Sequence, residues 1–368
     1  MQIELAIPDV AMLFTQPPMS GSSVRQALVS SSESLVSGAT VCCDSTFAPE
    51  IVFVVGDTQF EGNHVSCWRL TGSDWWGALA MDRTTGVDAW TSEWPVGSMI
   101  SAALAANEAF KFVMRRLPLR GQADRVFFEE SQSCNWDFGA VHVPEEGVDL
   151  GMVDVISAGA ICQAALYALM RFPNVRMSGR IFDDDLTGAS NLNRNMLSSV
   201  ADIGLLKVQV VARCCSAKLR LKPIAVRFPG DSCKIGQLAR RVLVGVDDIP
   251  SRWEVQRHAP GWIAVSGTSH FGVSSSAHRP DEPCCGCLHP VDDPVGANPI
   301  PTVSFVSFWA GLAMTVRLLR DALASSYSAN RQHLWLTPLR MDLPHAGMWL
   351  PVAPRRDCPA HCLASRVL

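Results

Sequence analysis

One part of the sequence holds the densest group of polar side chains that could do chemistry. In chain order these side chains are Asp183, Asp184, Asp185, Asn191, Arg194 and Lys207. A site for a nucleoside triphosphate needs a carboxylate that accepts from ribose hydroxyls, cations that neutralise phosphate charge, and an oxygen ligand for Mg²⁺. Asp183, with Asp185 beside it, suits the ribose, while Arg194 and Lys207 suit the phosphates. Asn191 could orient a phosphate or the attacking group. The alternative interpretation is a solvated acidic turn with a surface arginine.

A strand, a small-residue loop and an alanine-rich helix lie upstream of these carboxylates. The strand and loop read VDVISAGAIC over residues 153–162. A strand, a tight loop, a helix and a second strand that ends in an acid are typical of the dinucleotide-binding half of a doubly wound sheet. The loop N–H groups would face phosphate oxygens at the helix N-terminus, which assigns Gly159 and Ala160 to the nucleotide. Because Ser157 and Cys162 replace the flanking glycines of that pattern, the loop alone also fits an ordinary strand-to-helix turn.

Strands and helices alternate through the middle of the chain, and this alternation predicts a parallel sheet. We expect a helix near Met196–Cys214, a strand in LKPIAVRF, a helix around Ile235–Arg241 and a strand in VLVGVDD. The predicted fold class is α/β, with a Rossmann-like, doubly wound, mostly parallel sheet. Ligands bind such sheets beyond the carboxyl ends of the strands. Because Asp183 and Asp247 both follow predicted strands, they are expected to face one crevice, where Asp247 would hold Mg²⁺.

Five of the 13 cysteines lie in two short motifs, CCGC at residues 284–287 and CPAHC at residues 358–362. Two such pairs can place four thiolates around one tetrahedral Zn²⁺. The predicted zinc ligands are Cys284, Cys287, Cys358 and Cys362. Such a site is structural, because four thiolates leave no open position for chemistry. Replacement of one thiolate by His289 or His361, or a cysteine cluster without metal, are the alternatives.

Composition excludes several classes of function. The chain has 368 residues, of which 48% are hydrophobic and 18% charged, and this predicts a large buried core. A net charge of −4 gives no reason to expect nucleic acid or an anionic membrane as a partner. No apolar run reaches the roughly 18–20 residues of a membrane span, and Met1–Gln16 lacks the cationic start of a signal peptide. We therefore expect a cytoplasmic protein.

Taken together, these motifs resemble the adenylating domain of the ThiF/MoeB and ubiquitin-activating-enzyme superfamily. That family has a degenerate glycine loop, D-x-D, S-N-L-x-R-Q, a lysine, an aspartate with a later arginine, and two cysteine pairs. The matching residues are Asp183 with Asp185, the run from Ser190 to Arg194, Lys207, Asp247 with Arg252, the run from Pro283 to Pro290, and Cys358 with Cys362. The likeness covers about residues 150–368. The family glutamine after the arginine is replaced by Asn195.

The resemblance implies an ATP-dependent adenylyltransferase. Its catalytic residues would be Asn191, Arg194, Lys207 and Asp247, with ATP, Mg²⁺ and Zn²⁺ as cofactors. The C-terminal carboxylate of a ubiquitin-like protein would attack the α-phosphate of ATP and release pyrophosphate. The setting would be a bacterial ubiquitin-like conjugation system, some of which act against phage, with a ubiquitin-conjugating-enzyme-like protein as a second partner. The alternatives are adenylation of a sulfur carrier or a peptide, and a nucleotide-binding scaffold without catalysis.

Members of this family work as pairs of adenylating domains, either as homodimers or as tandem halves. The resemblance therefore implies a degenerate, inactive half at residues 1–148 and an active domain with the zinc site at residues 149–368. The strand IVFVVG and the helix Gly97–Arg116 are similar to the later part of the fold. The helix Val303–Leu323 is of the same apolar, small-residue type, and it also follows a proline. Arg25 is a candidate for an arginine supplied to the ATP site from the other half.

Many family members also carry a cysteine that forms a thioester, between the CxxC motif and the following helix. The segment from Leu288 to Leu323 contains no cysteine. The remaining candidates for such a nucleophile are Cys214, Cys215, Cys233 and Cys285. Each of these also fits the role of a small buried residue, since free cysteine is among the most buried residue types.

Overall fold

The computed structural model describes residues 2–12, 16–35, 40–43, 48–60, 66–81, 94–118, 121–142, 144, 146–215, 218–230, 235–258, 261–291, 303–323 and 331–366. The strands are β1 Gln2–Glu4, β2 Thr40–Cys42, β3 Ile51–Val55, β4 Ser66–Gly72, β5 Trp76–Met81, β6 Ser133–Asp137, β7 Val148–Ile156, β8 Val175–Phe182, β9 Leu219–Ile224, β10 Arg241–Val244, β11 Trp262–Ser269, β12 Gly272–His278, β13 His333–Leu336 and β14 Gly347–Leu350. The α-helices are α1 Val24–Leu35, α2 Pro95–Met114, α3 Gln122–Phe127, α4 Ala160–Arg171, α5 Lys207–Cys215, α6 Ile249–Arg257, α7 Cys285–Leu288, α8 Ser304–Ala322 and α9 Leu363–Arg366. No helix in this described part of the chain is long and apolar enough to cross a membrane.

The largest sheet has eight strands in the order β14-β13-β12-β11-β10-β7-β8-β9. The strands from β9 to β11 run parallel, whereas β12, β13 and β14 are added antiparallel. The chain builds outward from β7 to β9, then returns to the other side of β7 to form β10. This reversal of strand order beside β7 is the topological switch point of a doubly wound sheet. The predicted α/β, Rossmann-like fold class is confirmed.

Both faces of the sheet are covered near the carboxyl ends of its parallel strands. Along β7, Val153 and Val155 belong to the main core with α4 and α8, whereas Ile156 belongs to a second core with α6. Successive strand residues point to opposite faces, so the continuous apolar sequence of these strands suits burial on both sides. α4 ends at Arg171 because Pro173 follows its C-cap and cannot continue a helix.

Glycines allow two very close helix contacts. A Cβ at Gly311 in α8 would lie 2.6 Å from the Cβ of Ala164 in α4, and Thr315 of α8 donates a hydrogen bond of 3.0 Å to the Ala165 carbonyl. A Cβ at Gly97 in α2 would lie 1.6 Å from the Ser73 carbonyl oxygen. Any side chain at Gly311 or Gly97 would therefore push its helix away from its neighbour.

A second sheet in the N-terminal part has the order β3-β4-β5-β6. Its first pair is parallel and the other two pairs are antiparallel. α2 packs very closely on β5. A Cβ at Gly77 of β5 would lie only 2.5 Å from the Gly97 carbonyl oxygen of α2, so a side chain at Gly77 would not fit. The predicted strand IVFVVG is therefore β3, and the predicted helix Gly97–Arg116 is α2, displaced by two residues at each end.

Two helix predictions were wrong in their extent. Within Met196–Cys214 the structure has a short 3₁₀ turn, Val200–Asp202, and α5 begins only at Lys207. Gly204, at φ +87°, breaks the helix between them, a conformation that glycine tolerates. Of the helix expected at Ile235–Arg241, only Ile235 is helical, and an irregular segment from Gly236 to Arg240 leads into β10. The Ile235 carbonyl accepts a hydrogen bond from the Arg180 side chain on β8. This carbonyl is therefore bonded to the sheet and not within a helix.

Candidate functional site

The loop between β7 and α4 is built around Ser157, which has a left-handed φ of 93°. Its hydroxyl oxygen accepts from the Gly159 N–H at 3.0 Å. Gly159 is the N-cap of α4 and Ala160 is its first residue. The N-terminus of α4 therefore points its unpaired N–H groups and its positive dipole end at this loop.

The carboxylate of Asp183, the residue after β8, is tied to the same loop. Its Oδ2 accepts from the Ala158 N–H at 2.8 Å and from the Ser157 hydroxyl at 3.4 Å. Its Oδ1 accepts from the Asp185 N–H at 2.9 Å. One carboxylate thus holds the loop and the acidic turn together, and it is half-buried at the carboxyl end of two adjacent parallel strands.

Lys207, at the start of α5, is brought to the acidic turn from further along the chain. Its Nζ lies 2.7 Å from Asp185 Oδ2, and its backbone N–H donates to the Asp185 carbonyl at 3.0 Å. Its side chain is 11% exposed, whereas that of Asp185 is 56% exposed. The ammonium group is therefore largely shielded, and its one carboxylate partner lies open to solvent.

Carboxylate oxygens from Asp183, Asp184 and Asp185 lie within 4.8 Å of one another. Hard cations such as Mg²⁺ bind through one or two carboxylates and keep several waters. This acidic turn is therefore a second possible place for Mg²⁺, besides Asp247.

Asn191 and Arg194 lie in the segment between the acidic turn and Lys207, and both are held by local contacts. Asn191 Oδ1 accepts from the Gly188 N–H at 2.9 Å. Arg194 Nη1 donates to the Ser190 carbonyl at 2.7 Å and to Asn193 Oδ1 at 3.0 Å. These bonds fix the fold of the segment, and the described structure gives neither side chain a bond to Asp183 or Lys207.

Two buried polar atoms of this segment have no hydrogen-bond partner among the described residues. They are Thr187 Oγ1 and Asn195 Nδ2, on side chains that are 1% and 3% exposed as whole residues. Buried polar atoms nearly always have a partner. Their position between the acidic turn and Lys207 is consistent with a polar ligand or water in this region.

Asp247 follows β10, which lies on the other side of β7 from β8. Val244 pairs with Ile156, and Ile156 pairs with Phe182, so the residues after all three strands meet at one edge of the sheet. Asp247 is exposed and its Oδ1 accepts from the Asp248 N–H at 3.1 Å. The structure brings Asp247 to the edge that bears Asp183, with no direct bond between the two.

Arg252 supports the loop under Asp247 from α6. Its Nε donates to the Val246 carbonyl at 2.9 Å, and burial lowers the pKa of the guanidinium. A Cβ at Gly267 on β11 would lie 2.7 Å from Arg252 Nη2. The absence of a side chain at Gly267 therefore leaves room for the buried guanidinium.

Gln163 is a residue of this site that the sequence interpretation missed. From α4 its Nε2 donates to the Ala158 carbonyl at 2.9 Å, and its Oε1 accepts from the Leu197 N–H at 3.0 Å. It is fully buried and joins the loop to the segment that carries Arg194. A single amide in an otherwise apolar, alanine-rich helix was the available signal.

The four predicted zinc ligands form one group. The Sγ atoms of Cys284 and Cys358 are 3.3 Å apart, those of Cys287 and Cys362 are 3.6 Å apart, and all four lie within 4.8 Å of one another. Tetrahedral Zn²⁺ with Zn–S bonds of about 2.3 Å requires sulfurs about 3.8 Å apart. The two measured separations are slightly shorter than this value, so the four sulfurs form a group of about the size that Zn²⁺ requires.

The surroundings of this cluster are also built for close approach. A Cβ at Gly286 would lie 3.0 Å from Cys358 Sγ, so glycine lets the tail segment rest on α7. Burial raises the pKa of Cys287 and of Cys358, so a bound cation would be needed to keep these thiols ionised. His289 and His361 are not part of the group.

Of the four candidate nucleophiles, the three that the structure describes are buried or half-buried. Cys285 is not one of the four grouped cysteines, and its Sγ lies 3.4 Å from the Arg252 carbonyl. Burial raises the pKa of Cys214 and of Cys215. Cys233 lies outside the described residues. Arg25 of α1 donates to the Ile7 carbonyl, and the described structure gives it no bond to the site.

Four large apolar side chains are exposed around the acidic turn and Lys207. They are Leu186, Val200, Ile203 and Leu205, which are 42–56% exposed. Leu186 follows Asp185, and Leu205 precedes Lys207 by two residues. The polar site therefore has apolar surface at its rim.

Comparison with known proteins gives distant similarity only. No family model matches the sequence. A curated relative, "Uncharacterized protein y4jF" of Sinorhizobium fredii (strain NBRC 101917 / NGR234), is 26% identical over 226 residues, which cover 59% of this chain and 43% of the relative. The chain thus spans less than half the length of that relative.

The fold is also similar to solved structures. The structure of E. coli MccB with succinimide aligns at a TM-score of 0.47 and 11% identity, over 81% of this chain and 97% of that one. E. coli MccB with MccA aligns at 0.45 and 14% identity, over 58% and 66%. PaaA aligns at 0.40 and 14% identity, over 51% and 69%. At this level of similarity, the function has to be argued from the residues of the chain itself.

Proposed function

We propose that the protein uses ATP to adenylate a C-terminal carboxylate, with release of pyrophosphate. The observation that carries this proposal is the junction of Asp183 with the loop before α4, beside the Asp185–Lys207 pair, at the switch point of the sheet. Ligands bind doubly wound sheets at this crevice. A helix N-terminus, a ribose acceptor and a shielded ammonium group are the parts that a bound nucleotide needs.

In the proposed complex, Asp183 accepts from the ribose hydroxyls while the N-terminal N–H groups of α4 face the phosphates. Lys207 turns from Asp185 to the phosphate oxygens, and Arg194, with Asn191 beside it, approaches from the neighbouring segment. Mg²⁺, held by Asp247 or by the acidic turn, would supply further neutralisation of phosphate charge.

The reaction is an attack of a carboxylate oxygen on the α-phosphorus of ATP. The new bond joins the carboxylate oxygen to phosphorus, and the bond from phosphorus to the bridging oxygen of pyrophosphate breaks. Both reactants are anions, so the cations lower the repulsion and stabilise the charge that develops in the transition state. No proton needs to move, because the carboxylate attacks in its ionised form.

The carboxylate that we propose is the C-terminal tail of a ubiquitin-like protein, in a bacterial conjugation system with a ubiquitin-conjugating-enzyme-like protein. The motif resemblance supports this choice, and the apolar rim formed by Leu186 and Leu205 suits a tail with apolar residues. A sulfur carrier or a peptide with the same kind of tail would use the same chemistry.

A specific observation favours one further candidate, a nucleotide-binding scaffold without catalysis. The Ala158 and Gly159 N–H groups already donate to Asp183 and to the Ser157 hydroxyl. If these bonds persist with nucleotide bound, the loop offers fewer donors to phosphate than a loop with three glycines would. A scaffold of this kind would bind ATP and the carrier but form no adenylate.

Exchange of radiolabelled pyrophosphate into ATP, measured with purified candidate carriers, tests the proposal. We expect carrier-dependent exchange that is lost in Asp183→Asn and in Lys207→Ala. Nucleotide affinity, measured in parallel, separates the two functions. If ATP and carrier bind but no exchange occurs with any carrier, the scaffold function is favoured and the enzyme proposal is wrong.

We further propose that Cys284, Cys287, Cys358 and Cys362 hold a structural Zn²⁺ that fixes the C-terminal tail to α7. Metal binding would contribute directly to folding free energy. We expect about one zinc per chain by elemental analysis, and a lower melting temperature after chelation or in Cys358→Ser. Cys42→Ser, a half-buried cysteine far from the cluster in sequence, should retain the metal. A metal-free protein with unchanged melting temperature would contradict this site.

A further inference from the structure

The face of the large sheet that turns away from α4 is open where β8 and β9 meet. Alternate side chains of these two strands point to this face. They are Arg176, Ser178 and Arg180 on β8, and Arg220 and Lys222 on β9. The residues between them, such as Met177 and Leu221, lie in the main core on the opposite side. The outer face of this strand pair is therefore strongly cationic.

The register of the sheet arranges these side chains in rows across three strands. One row is Met152, Ser178 and Arg220, and the next is Asp154, Arg180 and Lys222. Arg180 is thus directly opposite Lys222, and like charges in that position destabilise a sheet. Asp154, which is fully buried, pairs with Arg180 through a bond of 3.0 Å from Nε to Oδ1.

The remaining cations of this face have no partner within the described part of the chain. Arg176, Arg220 and Lys222 are exposed and form no ion pair or hydrogen bond there. The chain as a whole has more acidic than basic residues, 35 against 31. The excess of cations on β8 and β9 is therefore not a consequence of composition. The acids that the register places opposite them on β7 are Asp149, opposite Arg176, and Asp154, opposite Arg180.

An open cleft of about 590 Å³ borders this face. Met152, Ser178, Arg180, Arg220 and Lys222 line it from the outer face, and Ala212 and Leu221 line it from the side of the main core. Met152 is 56% exposed, so an apolar contact is available between the cations. The lining contains no aromatic ring.

We propose that this cleft, defined by Met152, Ser178, Arg220 and Lys222, binds an extended acidic segment of a partner protein. Alternate residues of an extended chain recur on one face about every 6.6 Å, which matches Arg220 and Lys222 at positions i and i+2 of β9. A segment with acids at every second residue would place carboxylates on both cations at once. The Ser178 hydroxyl would donate to the same segment, and Met152 would contact its apolar side chains.

The observations favour an acidic protein over a nucleic acid. Single-stranded nucleic acids are bound by basic grooves with aromatic side chains on which bases stack, and the cleft offers no such ring. The chain's net charge of −4 also opposes a polyanion at long range. A short acidic segment avoids that cost, because only the local charges lie within a Debye length of about 10 Å.

This binding site is separate from the nucleotide crevice and does not depend on the proposed adenylation. It lies on the middle of β8 and β9, whereas the crevice lies beyond the carboxyl ends of the strands. It would hold a partner while the other end of the sheet carries out the chemistry.

Fluorescence anisotropy with short labelled peptides tests the proposal on the full chain. The probe is a peptide in which Glu and Thr alternate. Its controls are a peptide of identical composition with all Glu residues in one block, a Gln-Thr peptide, and an oligothymidylate of similar length. The test variant is Arg220→Glu with Lys222→Glu. Its matched control is Arg125→Glu with Arg240→Glu, which reverses two exposed cations elsewhere.

We expect the alternating peptide to bind most tightly, with an affinity that falls as salt is added. Charge reversal at Arg220 and Lys222 should weaken it by about tenfold or more, since two attractive contacts become repulsive. The matched control should bind like the wild type, and melting curves should show that both variants are folded.

Three outcomes would overturn the proposal. The first is no binding of the alternating peptide, which would leave the cations as protection of an edge strand against aggregation. The second is equal binding by the test variant and the wild type. The third is tighter binding of oligothymidylate that charge reversal abolishes, which would make the cleft a nucleic-acid site.

Discussion

Two regions of the molecule share one topology and differ in what precedes it. The first contains β3, β4, β5, α2 and β6 in that order, and the second contains β10, β11, β12, α8 and β13. The shorter helix α3 also lies in the first region, and α6 and α7 lie in the second. In each, two parallel strands are followed by an antiparallel strand, a long helix and a further antiparallel strand. The helices have 20 and 19 residues. The second region is preceded by β7, α4, β8, α5 and β9, which carry the loop and the acidic turn.

The two regions also contact each other reciprocally. Asn107 of α2 donates a hydrogen bond of 2.6 Å to the Pro338 carbonyl, just after β13. Arg320 of α8 donates to the Phe138 and Gly139 carbonyls, just after β6. The helices meet through Phe110 and Phe305, whose ring centroids are 5.3 Å apart. This arrangement supports the proposal of a tandem pair in which residues 1–148 form a degenerate half.

The difference between the regions separates the elements that pack the two regions together from the elements that position the candidate site. The N-terminal region keeps the helix and strands that form the contact, but among its described residues there is no loop-and-acid junction like that of Asp183. Some of its buried polar groups pair with each other, as Lys111 does with Glu108, and Asn107 bonds the Pro338 carbonyl of the other region. We therefore expect mutations in the first region to change stability and mutations in the second to change activity.

The largest effect is expected from the buried ion pair of α2. Lys111 Nζ lies 2.6 Å from Glu108 Oε1, with side-chain exposures of 0% and 2%, and it also donates to Ser131. Lys111→Met would leave the Glu108 carboxyl buried without its cation and should cost about 3–5 kcal/mol in unfolding free energy. Urea denaturation measures this loss.

A double variant, Lys111→Met with Glu108→Leu, controls for the lost pairing. It should regain most of the stability, because replacing both charges by apolar groups is often close to neutral. A small loss in the single variant would show that the N-terminal region does not depend on this pair.

The next effect is on activity and uses matching positions of the two regions. Asp247 follows β10 and Asp57 follows β3, and both are exposed. Asp247→Ala should lower pyrophosphate exchange by about 10²–10³-fold, the usual cost of losing one group that stabilises developing charge. Asp57→Ala should leave exchange unchanged. Equal losses in both variants, or in neither, would break the proposed division between the regions.

A smaller effect concerns pH and the polar core beside α8. Burial lowers the pKa of His278 to about 3, below its ordinary value of 6.5. Below pH 6.5 this histidine is therefore protonated in the unfolded chain but stays neutral in the folded chain. The free energy of unfolding consequently falls as the pH drops from 6.5 towards 3. From pH 7 to pH 5 His278 should account for a loss of about 2 kcal/mol.

Groups from several elements face His278, so the wild-type pH dependence has more than one source. The Pro283 carbonyl and the Ser276 hydroxyl bond its ring nitrogens, Gln332 lies 3.0 Å from Nδ1, and Arg317 and His333 act on it by charge. The His278→Gln variant isolates the contribution of His278 to the pH dependence of stability. Chemical denaturation at both pH values should show a shallower loss in the variant, and identical slopes would contradict the assignment.

The smallest effect is expected at the reciprocal contact. Asn107→Ala removes the bond to Pro338, yet it also removes Asn107 Oδ1, a buried atom with no partner among the described residues. These changes oppose each other, so the loss should be about 1 kcal/mol, the low end for an unsatisfied buried carbonyl. Arg320→Met should cost more, because two carbonyls lose a charged donor. Thermal melting of the two variants compares the two sides of the contact.

The sequence predicts the parts of this fold that depend on local pattern. The apolar run of β3, the small-residue helices α2 and α8, and the α/β class follow from periodicity and composition. The start of α5 at Lys207 could not be predicted in this way, because it depends on the turn at Gly204. The conformation of the segment from Ile235 also depends on a tertiary contact, since Arg180 of β8 donates hydrogen bonds to the Ile235 and Gln237 carbonyls.

The candidate site likewise has features that the sequence predicts and features that depend on tertiary contacts. Spacing alone indicated that Asp183 and Asp185 follow a strand and that the four cysteines form two pairs. The bond from the Ala158 N–H to Asp183, and the role of Gln163 behind the loop, depend on strand pairing that no local pattern shows. The assignment of Asn191, Arg194 and Asp247 to one ligand stays a prediction.

The close packing of α8 on α4 at Gly311 has a mechanical consequence. With the backbones in contact there, α8 cannot slide without dragging α4, and the loop at the N-terminus of α4 would be carried along. α2 packs against α8 through Phe110 and Phe305, so the three helices form one continuous packed group. A displacement of α2 would therefore be transmitted through α8 and α4 to the loop at Ser157.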